Sequence, residues 1–166
     1  MGFYNDKIVP RLVTCACGTK PILKQREKVV PQAQGNVLEI GMGAGHNLPY
    51  YDPQRVQSIV GIDPCQTSWR LAASRAAQVG VPLDFVEGSA EKMPLPAAQF
   101  DTVLMTYSLC TIPDAHAALA EIGRVLKPGG SLVFCEHGQA PDPGVASWQE
   151  RINPLWRRLL GGCNIN

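Results

Sequence analysis

The chain has 166 residues, enough for one domain with a sizeable buried core. Its net charge of +1 gives no electrostatic reason to expect a nucleic-acid partner. The sequence has neither a run of about 18 apolar residues nor a secretory signal at its N-terminus. We therefore expect no transmembrane segment and a cytoplasmic location.

Residues 1–34 predict a helical cap that precedes the main domain. Apolar side chains repeat at helical spacing in its first part, and a second helical segment runs from Pro21 to Val30. The apolar positions are Tyr4, Ile8 and Leu12. Together with Trp148 and Trp156 of the last predicted helix, they either line a substrate pocket or pack as ordinary core. Basic residues flank both helices, which allows peripheral contact with a membrane surface.

Strands and helices alternate from residue 35 onward. This order predicts an α/β, Rossmann-like sandwich of three layers, with a mainly parallel sheet between the helices. The predicted strands are Val37–Ile40, Gln57–Ile62, Leu83–Glu87, Phe100–Met105 and Leu132–Glu136. The predicted helices carry apolar stripes at Trp69, Ala72, Ala73 and Ala76, at Ala115, Leu119, Ile122 and Leu126, and from about Ala146 to Leu160. Asp114 is the predicted N-cap of the second of these helices, and the glycines of segment 127–130 end it.

A glycine loop follows the first predicted strand. Gly41, Gly43 and Gly45 stand at alternate positions, where glycine permits positive φ and close approach of a ligand to the backbone. The third glycine of the dinucleotide fingerprint would fall at position 46, which is His46, so the spacing disfavours NAD. Glu39, at the end of the strand, suits a ligand with a cationic group. A tight turn without a ligand is the alternative interpretation.

Polar residues and glycines gather at the carboxyl end of every predicted strand, where α/β sheets bind their ligands. Asp63 follows the second strand and can accept hydrogen bonds from both hydroxyls of a ribose, although an N-cap role is the alternative. The later strands are followed by the polar segments 88–91, 106–108 and 136–138.

These motifs together resemble the class I S-adenosylmethionine-dependent methyltransferases. The resemblance rests on the glycine loop, Asp63, the segment Gly88-Ser89-Ala90-Glu91-Lys92-Met93-Pro94-Leu95-Pro96 with Phe100-Asp101, and Leu126-Lys127-Pro128-Gly129-Gly130. Within this class the chain is similar to the small-molecule branch of the ubiquinone/menaquinone-biosynthesis type. Leu109-Cys110, Arg124-Val125-Leu126 and Glu136-His137 are similar to the methyltransferase-like thiol and phospholipid enzymes.

The resemblance implies a cofactor, S-adenosylmethionine, with S-adenosylhomocysteine as its product. The glycines would pass beneath its methionine part and ribose, Glu39 would lie near the ammonium, and Asp63 would hold the ribose. Ser89 stands where the family usually has aspartate, so its bond to the adenine amino group should be weaker. The full set of implied cofactor residues is Glu39, Gly41, Met42, Gly43, Gly45, Asn47, Asp63, Pro64, Ser89, Ala90, Glu91, Thr106 and Tyr107.

Methyl transfer requires mainly positioning, and a general base only where the acceptor must lose a proton. His137 is the candidate base, with packing or capping at the strand end as the alternative. The expected acceptor is a small apolar thiol, amine headgroup or quinol-like ring. A non-catalytic cofactor-binding remnant and, less favoured, an NAD-dependent oxidoreductase are the competing functions. We expect no metal, because the cysteines lack zinc-type spacing.

The sequence reaches Asn166 without residues for the two further strands that class I methyltransferases carry. We therefore expect a methyltransferase domain over residues 35–166 that lacks strands six and seven. Strand five would then be an open edge, which either pairs with a second copy of the chain or is covered by the last helix.

Overall fold

The computed structural model describes Tyr4 and residues 8–166. Five parallel strands form one sheet in the order β3-β2-β1-β4-β5. The strands are β1 (Gly35–Ile40), β2 (Val56–Asp63), β3 (Leu83–Glu87), β4 (Phe100–Thr106) and β5 (Leu126–Cys135). The helices are α1 (Val9–Cys17), α2 (Lys20–Val29), α3 (Gln66–Arg70), α4 (Ala73–Ala76), α5 (Ala115–Val125) and α6 (Pro143–Leu159). The predicted α/β fold is confirmed.

The central strands are apolar on both faces because helices cover the sheet on both sides. Leu38 and Ile40 of β1 pack with Ile122 and Val125 of α5 on one face. Val37, the alternate residue of the same strand, packs on the opposite face among side chains such as Val30, Leu48 and Ile59. The strand order reverses between β1 and β4, and the carboxyl ends at such a reversal leave a crevice for ligands.

The helix predicted through Trp69 and Ala76 is divided into the short helices α3 and α4. At Leu71 and Ala72 the backbone N–H groups bond to carbonyl groups three residues back rather than four, which tightens the turn. The turn buries Ala72, and a Cβ atom on Gly45 would lie only 3.0 Å from the Ala72 side chain. Trp69 instead stacks on Phe85 of β3, with ring centroids 4.9 Å apart.

The boundary between α5 and β5 also differs from its prediction. Leu119 is 43% exposed rather than inward-facing, and Leu126 begins the strand rather than ending the helix. Residues 127–130, which were predicted to end the helix, lie within β5. At these residues the register between β5 and β4 is irregular. At this position Lys127 Nζ donates to both carboxylate oxygens of Asp101, on β4, at 2.8 Å. The predicted N-cap of α5 is confirmed, because the Asp114 carboxylate accepts from the Ala117 N–H, in the first turn of the helix, at 3.0 Å.

The last helix, α6, begins at Pro143, earlier than predicted. The Asp142 carboxylate accepts from the Val145 N–H at 2.9 Å and caps the helix, which then continues through Pro154. Trp148 and Leu155 point largely to solvent rather than into a core. Among the described helices, none combines the length and the apolar character needed to cross a membrane.

Candidate active site

A cavity of about 790 Å³ opens at the carboxyl edge of the sheet. The ends of β1, β2, β3 and β4 form its floor, while α1, α2 and the residues that follow α6 form its outer wall. Val9, Pro10 and Val13 face the cavity from α1, rather than the predicted stripe of Tyr4, Ile8 and Leu12. The first helix therefore does border the site, but with a different face.

The glycine loop provides bare backbone at the cavity floor. Gly41 has φ +68°, and a Cβ atom there would collide with the Ser108 side chain. Gly45 has φ +70°, and a Cβ atom there would lie 2.7 Å from the Leu48 side chain. At Gly43, with φ +51°, an added Cβ atom would approach no neighbour closer than 3.8 Å. The outer two glycines are thus required by packing, whereas Gly43 leaves open space beside its backbone.

Asp63 lies at the end of β2, directly across from the glycine loop. Its Oδ2 accepts from the Gly43 N–H at 2.9 Å, and its Oδ1 accepts from the Cys65 N–H at 2.7 Å. Burial raises the pKa of this carboxyl above its ordinary value, and the two backbone donors oppose that rise. Each oxygen retains a lone pair, so the carboxylate can accept two further hydrogen bonds from vicinal hydroxyls.

A buried polar network lies beneath the cavity, centred on Arg26 of α2. The Arg26 Nη1 donates to Asn47 Oδ1 at 2.8 Å and to Thr106 Oγ1 at 2.5 Å. Asn47 Nδ2 donates in turn to Glu39 Oε1 at 3.0 Å, and the Tyr51 hydroxyl donates to Glu39 Oε2 at 2.7 Å. The network therefore joins α2 to β1 and β4.

Arg26 is the buried cation that lines the cavity. Its side chain is 5% exposed, and its Nε has no hydrogen-bond partner among the described residues. The ion pairs found in the described part of the chain do not include Arg26. Because a buried charge is costly unless it is paired, this guanidinium favours an anionic ligand group in the cavity.

Glu39 is enclosed within the network rather than facing the cavity. Burial raises its pKa to about 7, against the opposing effects of Tyr51, Arg26 and Asn47. Its carboxyl oxygens are both used by neighbouring donors. Glu39 therefore makes no direct contact with the cavity in this arrangement.

The polar residues after β3 form a small self-bonded loop. The Ser89 hydroxyl donates to Glu91 Oε2 at 2.7 Å and accepts from the Glu91 N–H at 3.2 Å. Glu91 Oε1 accepts from the Asp114 N–H at 2.8 Å. The Ser89 hydroxyl already donates its proton to Glu91, so it can only accept a hydrogen bond from a ligand. An exocyclic amine on the ligand could donate such a bond.

Tyr107 follows β4 in an unusual backbone conformation, with φ +53°. Its ring lies between two cationic or titratable groups. The Arg26 guanidinium carbon is 5.1 Å from the ring centroid, and the His137 ring is stacked with its centroid 6.2 Å away. Tyr107 therefore separates the buried arginine from His137.

His137 lies outside the residues that line the cavity, next to two cysteines. Its Nε2 is 3.8 Å from Cys163 Sγ, which is 3.5 Å from Cys110 Sγ. The hydrogen bond from Cys110 lowers the pKa of the Cys163 thiol. The hydrogen bond between Cys163 and His137 raises the pKa of the His137 imidazole. The contact between the two cysteines raises the pKa of the Cys110 thiol far above its ordinary value.

The structure brings most of the sequence-predicted site residues to this one cavity. Four of them do not line it: Glu39, Gly45, Asn47 and His137. The residues that line it are Gly41, Met42, Gly43, Asp63, Pro64, Ser89, Ala90, Glu91, Thr106 and Tyr107.

Arg26 and His46 line the cavity without having been predicted to do so. Arg26 lies in a helix rich in charged residues, so no sequence signal separates it from its solvated neighbours. His46 Nε2 lies 3.0 Å from the Thr14 carbonyl oxygen, so this side chain also contacts α1.

Comparison with known proteins places this architecture in a family. A family model described as a methyltransferase domain matches residues 38–134, more than half of the chain. The protein YcgJ of Bacillus subtilis, an uncharacterized methyltransferase, is 33% identical over 125 residues, which cover 75% of this chain and 49% of YcgJ. The thiol S-methyltransferase TMT1B of Rattus norvegicus is 33% identical over 132 residues, covering 78% of this chain and 54% of TMT1B.

Solved structures agree with this assignment. The crystal structure of YcgJ matches with a TM-score of 0.65 over 81% of this chain and 57% of that chain. A putative methyltransferase of Bacillus halodurans, at 20% identity, shares the fold with a TM-score of 0.69 over 86% of this chain and 61% of that chain. The chain spans about half the length of the curated relatives it matches. It belongs to the methyltransferase domain family, with the α/β fold of the class I S-adenosylmethionine-dependent type.

Proposed function

We propose that the chain binds S-adenosylmethionine in this cavity and transfers its methyl group to a small apolar acceptor. One observation carries the proposal: a carboxylate with free lone pairs, Asp63, lies across from bare backbone at Gly43 in the same cavity. This arrangement fits a ribose held between strand ends. When bound, the cofactor supplies an already activated methyl group on its sulfonium.

The chain's own residues bind and orient the cofactor. Asp63 would accept from the ribose hydroxyls, while the Ala90 N–H and the Ser89 lone pair would contact the adenine. Arg26, with its unpaired buried Nε, would bind the methionine carboxylate, and Thr106 and Tyr107 would border the same end. The Glu39 network would reach the ammonium indirectly.

The acceptor side of the cavity is formed by apolar residues of α1 and by the segment after α6. Val9, Val13 and Leu160 lie there, which favours an apolar acceptor, while Arg157 and Arg158 of α6 line the same cavity. The acceptor classes are a thiol, an amine headgroup or a quinol-like ring. The relative named a thiol S-methyltransferase favours the thiol, which as a thiolate would need no general base.

The catalytic role of His137 stays a prediction. Because His137 does not line the cavity, a base there would act only on an acceptor that reaches past Tyr107. The cytoplasmic location, the peripheral membrane contact and the division into a cap over residues 1–34 and a domain over residues 35–166 also stay predictions.

Calorimetric titration tests cofactor binding. S-adenosylhomocysteine should bind and NADH should not. Asp63→Ala should weaken binding by about 1–3 kcal/mol, because it removes a charged hydrogen-bonding group. Asp84→Ala, which removes an exposed carboxylate from β3, is the matched control and should bind as the unsubstituted chain does. If Asp63→Ala binds S-adenosylhomocysteine as tightly as the unsubstituted chain, Asp63 does not hold the ribose. If the chain binds NADH and not S-adenosylhomocysteine, the proposed cofactor is wrong.

Methyl transfer requires a separate assay. S-adenosylmethionine with a labelled methyl group is incubated with the chain and an alkyl thiol, an amine lipid or a quinol. Labelled product with one of these supports the enzyme and names its acceptor. Tight cofactor binding without transfer to any acceptor supports the alternative, a non-catalytic binding domain.

A further inference from the structure

Three metal-ligating side chains from three separate segments converge beside the cofactor cavity. Cys110 lies in the turn after β4, His137 follows β5, and Cys163 follows α6. Cys110 Sγ is 3.5 Å from Cys163 Sγ, and Cys163 Sγ is 3.8 Å from His137 Nε2. All three ligand atoms lie within 4.8 Å of one another. Residues 26 or more positions apart in the sequence have thus formed one compact cluster.

Two of these separations, Cys110 Sγ to Cys163 Sγ and Cys163 Sγ to His137 Nε2, suit a single tetrahedral ion, and the third pair lies within 4.8 Å. Thiolate sulfur binds zinc at about 2.3 Å and imidazole nitrogen at about 2.0–2.1 Å, which places neighbouring ligand atoms roughly 3.5–3.8 Å apart. Two thiolates and an imidazole also favour zinc over magnesium or calcium, which prefer oxygen ligands. Both the distances and the ligand types therefore point to the same ion.

The cluster is held in place by contacts of its own. The main-chain N–H of Asn164 and its side-chain Nδ2 both donate to the Cys110 carbonyl oxygen, at 3.0 and 3.1 Å. The His137 ring stacks against Tyr107. These contacts fix the three segments relative to one another, so the ligands would need little rearrangement to bind an ion.

We propose that Cys110, His137 and Cys163 form a binding site for one zinc ion. Three protein ligands leave a fourth position open, as in zinc sites accessible to water or substrate. The ion would fix the segment after α6, whose Gly161 and Gly162 line the cofactor cavity. His137 would then be a zinc ligand rather than a general base, contrary to the sequence-based expectation of no metal.

Metal uptake by the reduced full chain tests this proposal without reference to methyl transfer or cofactor binding. The chain is stripped with a chelator and reduced with a phosphine. It is then titrated with Zn²⁺ against a chromogenic indicator, and separately with Co²⁺. We expect one Zn²⁺ per chain, and with Co²⁺ the visible bands of tetrahedral coordination together with thiolate charge-transfer absorption.

Loss of a residue that only supports a metal ligand typically weakens metal binding by about 10- to 100-fold. Substitution of a ligand itself should therefore weaken Zn²⁺ binding by at least about 100-fold. The ligand variants are Cys110→Ser, Cys163→Ser and His137→Gln. The matched controls are Cys15→Ser and His116→Gln, both at exposed positions, which should bind as the unsubstituted chain does. Circular dichroism establishes that each variant is folded.

Three results would overturn the proposal. One is a reduced, folded chain that takes up no ion or shows no thiolate absorption with Co²⁺. Another is unchanged affinity when Cys110 and Cys163 are both replaced. The third is a disulfide between these two cysteines in the chain as purified, with no zinc uptake after its reduction.

Discussion

Arg26 shows how strongly the surroundings of one residue determine its chemistry. In the sequence it is one of several cations in a polar helix, but in the fold it is buried against Asn47 and Thr106. Water does not compensate its charge there, so a ligand carboxylate should gain more from it than from a solvated arginine. The same guanidinium lies over Tyr107, whose positive φ is maintained by the packing around it.

Glu39 should give the protein a distinct pH dependence of stability. Its pKa is about 7 in the folded chain against an ordinary 4.5, so between these values the folded state retains a proton that the unfolded state releases. The free energy of unfolding should therefore fall as pH rises through this window, by about 3 kcal/mol for this group. Urea unfolding at about pH 5 and about pH 8 measures the loss.

Glu39→Gln cannot titrate, so it should abolish this part of the pH dependence. Glu87→Gln, at an exposed position, should retain it. The contribution of Glu39 is contradicted if Glu39→Gln and the unsubstituted chain lose equal stability between the two pH values.

At the scale of elements, a titratable contact joins α1 to the end of the glycine loop. His46 bonds the Thr14 carbonyl oxygen, and burial, with Arg26 and Arg75 nearby, lowers the His46 pKa to about 4. The folded chain thus excludes a proton that the unfolded chain takes up below about pH 6.5. Stability should fall as pH drops from about 6.5 to 4, opposite in sign to the effect of Glu39.

His46→Gln retains a donor without the titration, so it should reduce this loss of stability in acid. The free energy of unfolding is measured for His46→Gln and for the unsubstituted chain at several pH values in this window. His116→Gln, on the surface of α5, is the control. A loss of the same size in His46→Gln would show that His46 titrates normally in the fold.

Strands were more predictable from the sequence than helix boundaries. Runs that are almost wholly apolar predict buried strands, because most residues on both faces must be apolar in a covered parallel sheet; Val37–Ile40 is such a run, with Glu39 as its one charged residue. The turn at Leu71 and Ala72 was not predictable, since it depends on how closely Ala72 approaches Gly45. The start of β5 at Leu126 likewise depends on pairing with Phe100, a contact that sequence periodicity does not report.

For the molecule as a whole, β5 forms an outer edge of the sheet. Among the described strands β5 pairs only with β4, and Phe134 on it is 61% exposed. An unpaired, apolar strand edge is a template for another strand, so we predict that two copies associate through β5. Sedimentation over a range of concentrations should detect a dimer.

Phe134→Lys should weaken this association, because a charge on an edge strand opposes pairing. Leu119→Lys, at an exposed apolar position on α5, is the control and should leave it unchanged. A chain that sediments as a monomer at all concentrations would contradict the predicted dimer.

The order of strands and helices along the chain, the glycine loop and the polar residues at the strand ends can all be read from the amino-acid sequence. These features are local, since they follow from hydrophobic periodicity and from where glycine is needed. The burial of Arg26 beside the cavity and the meeting of Cys110, His137 and Cys163 become visible only in the folded chain. Both results depend on contacts between distant segments, and the physical effects of burial and proximity arise only when those segments pack together.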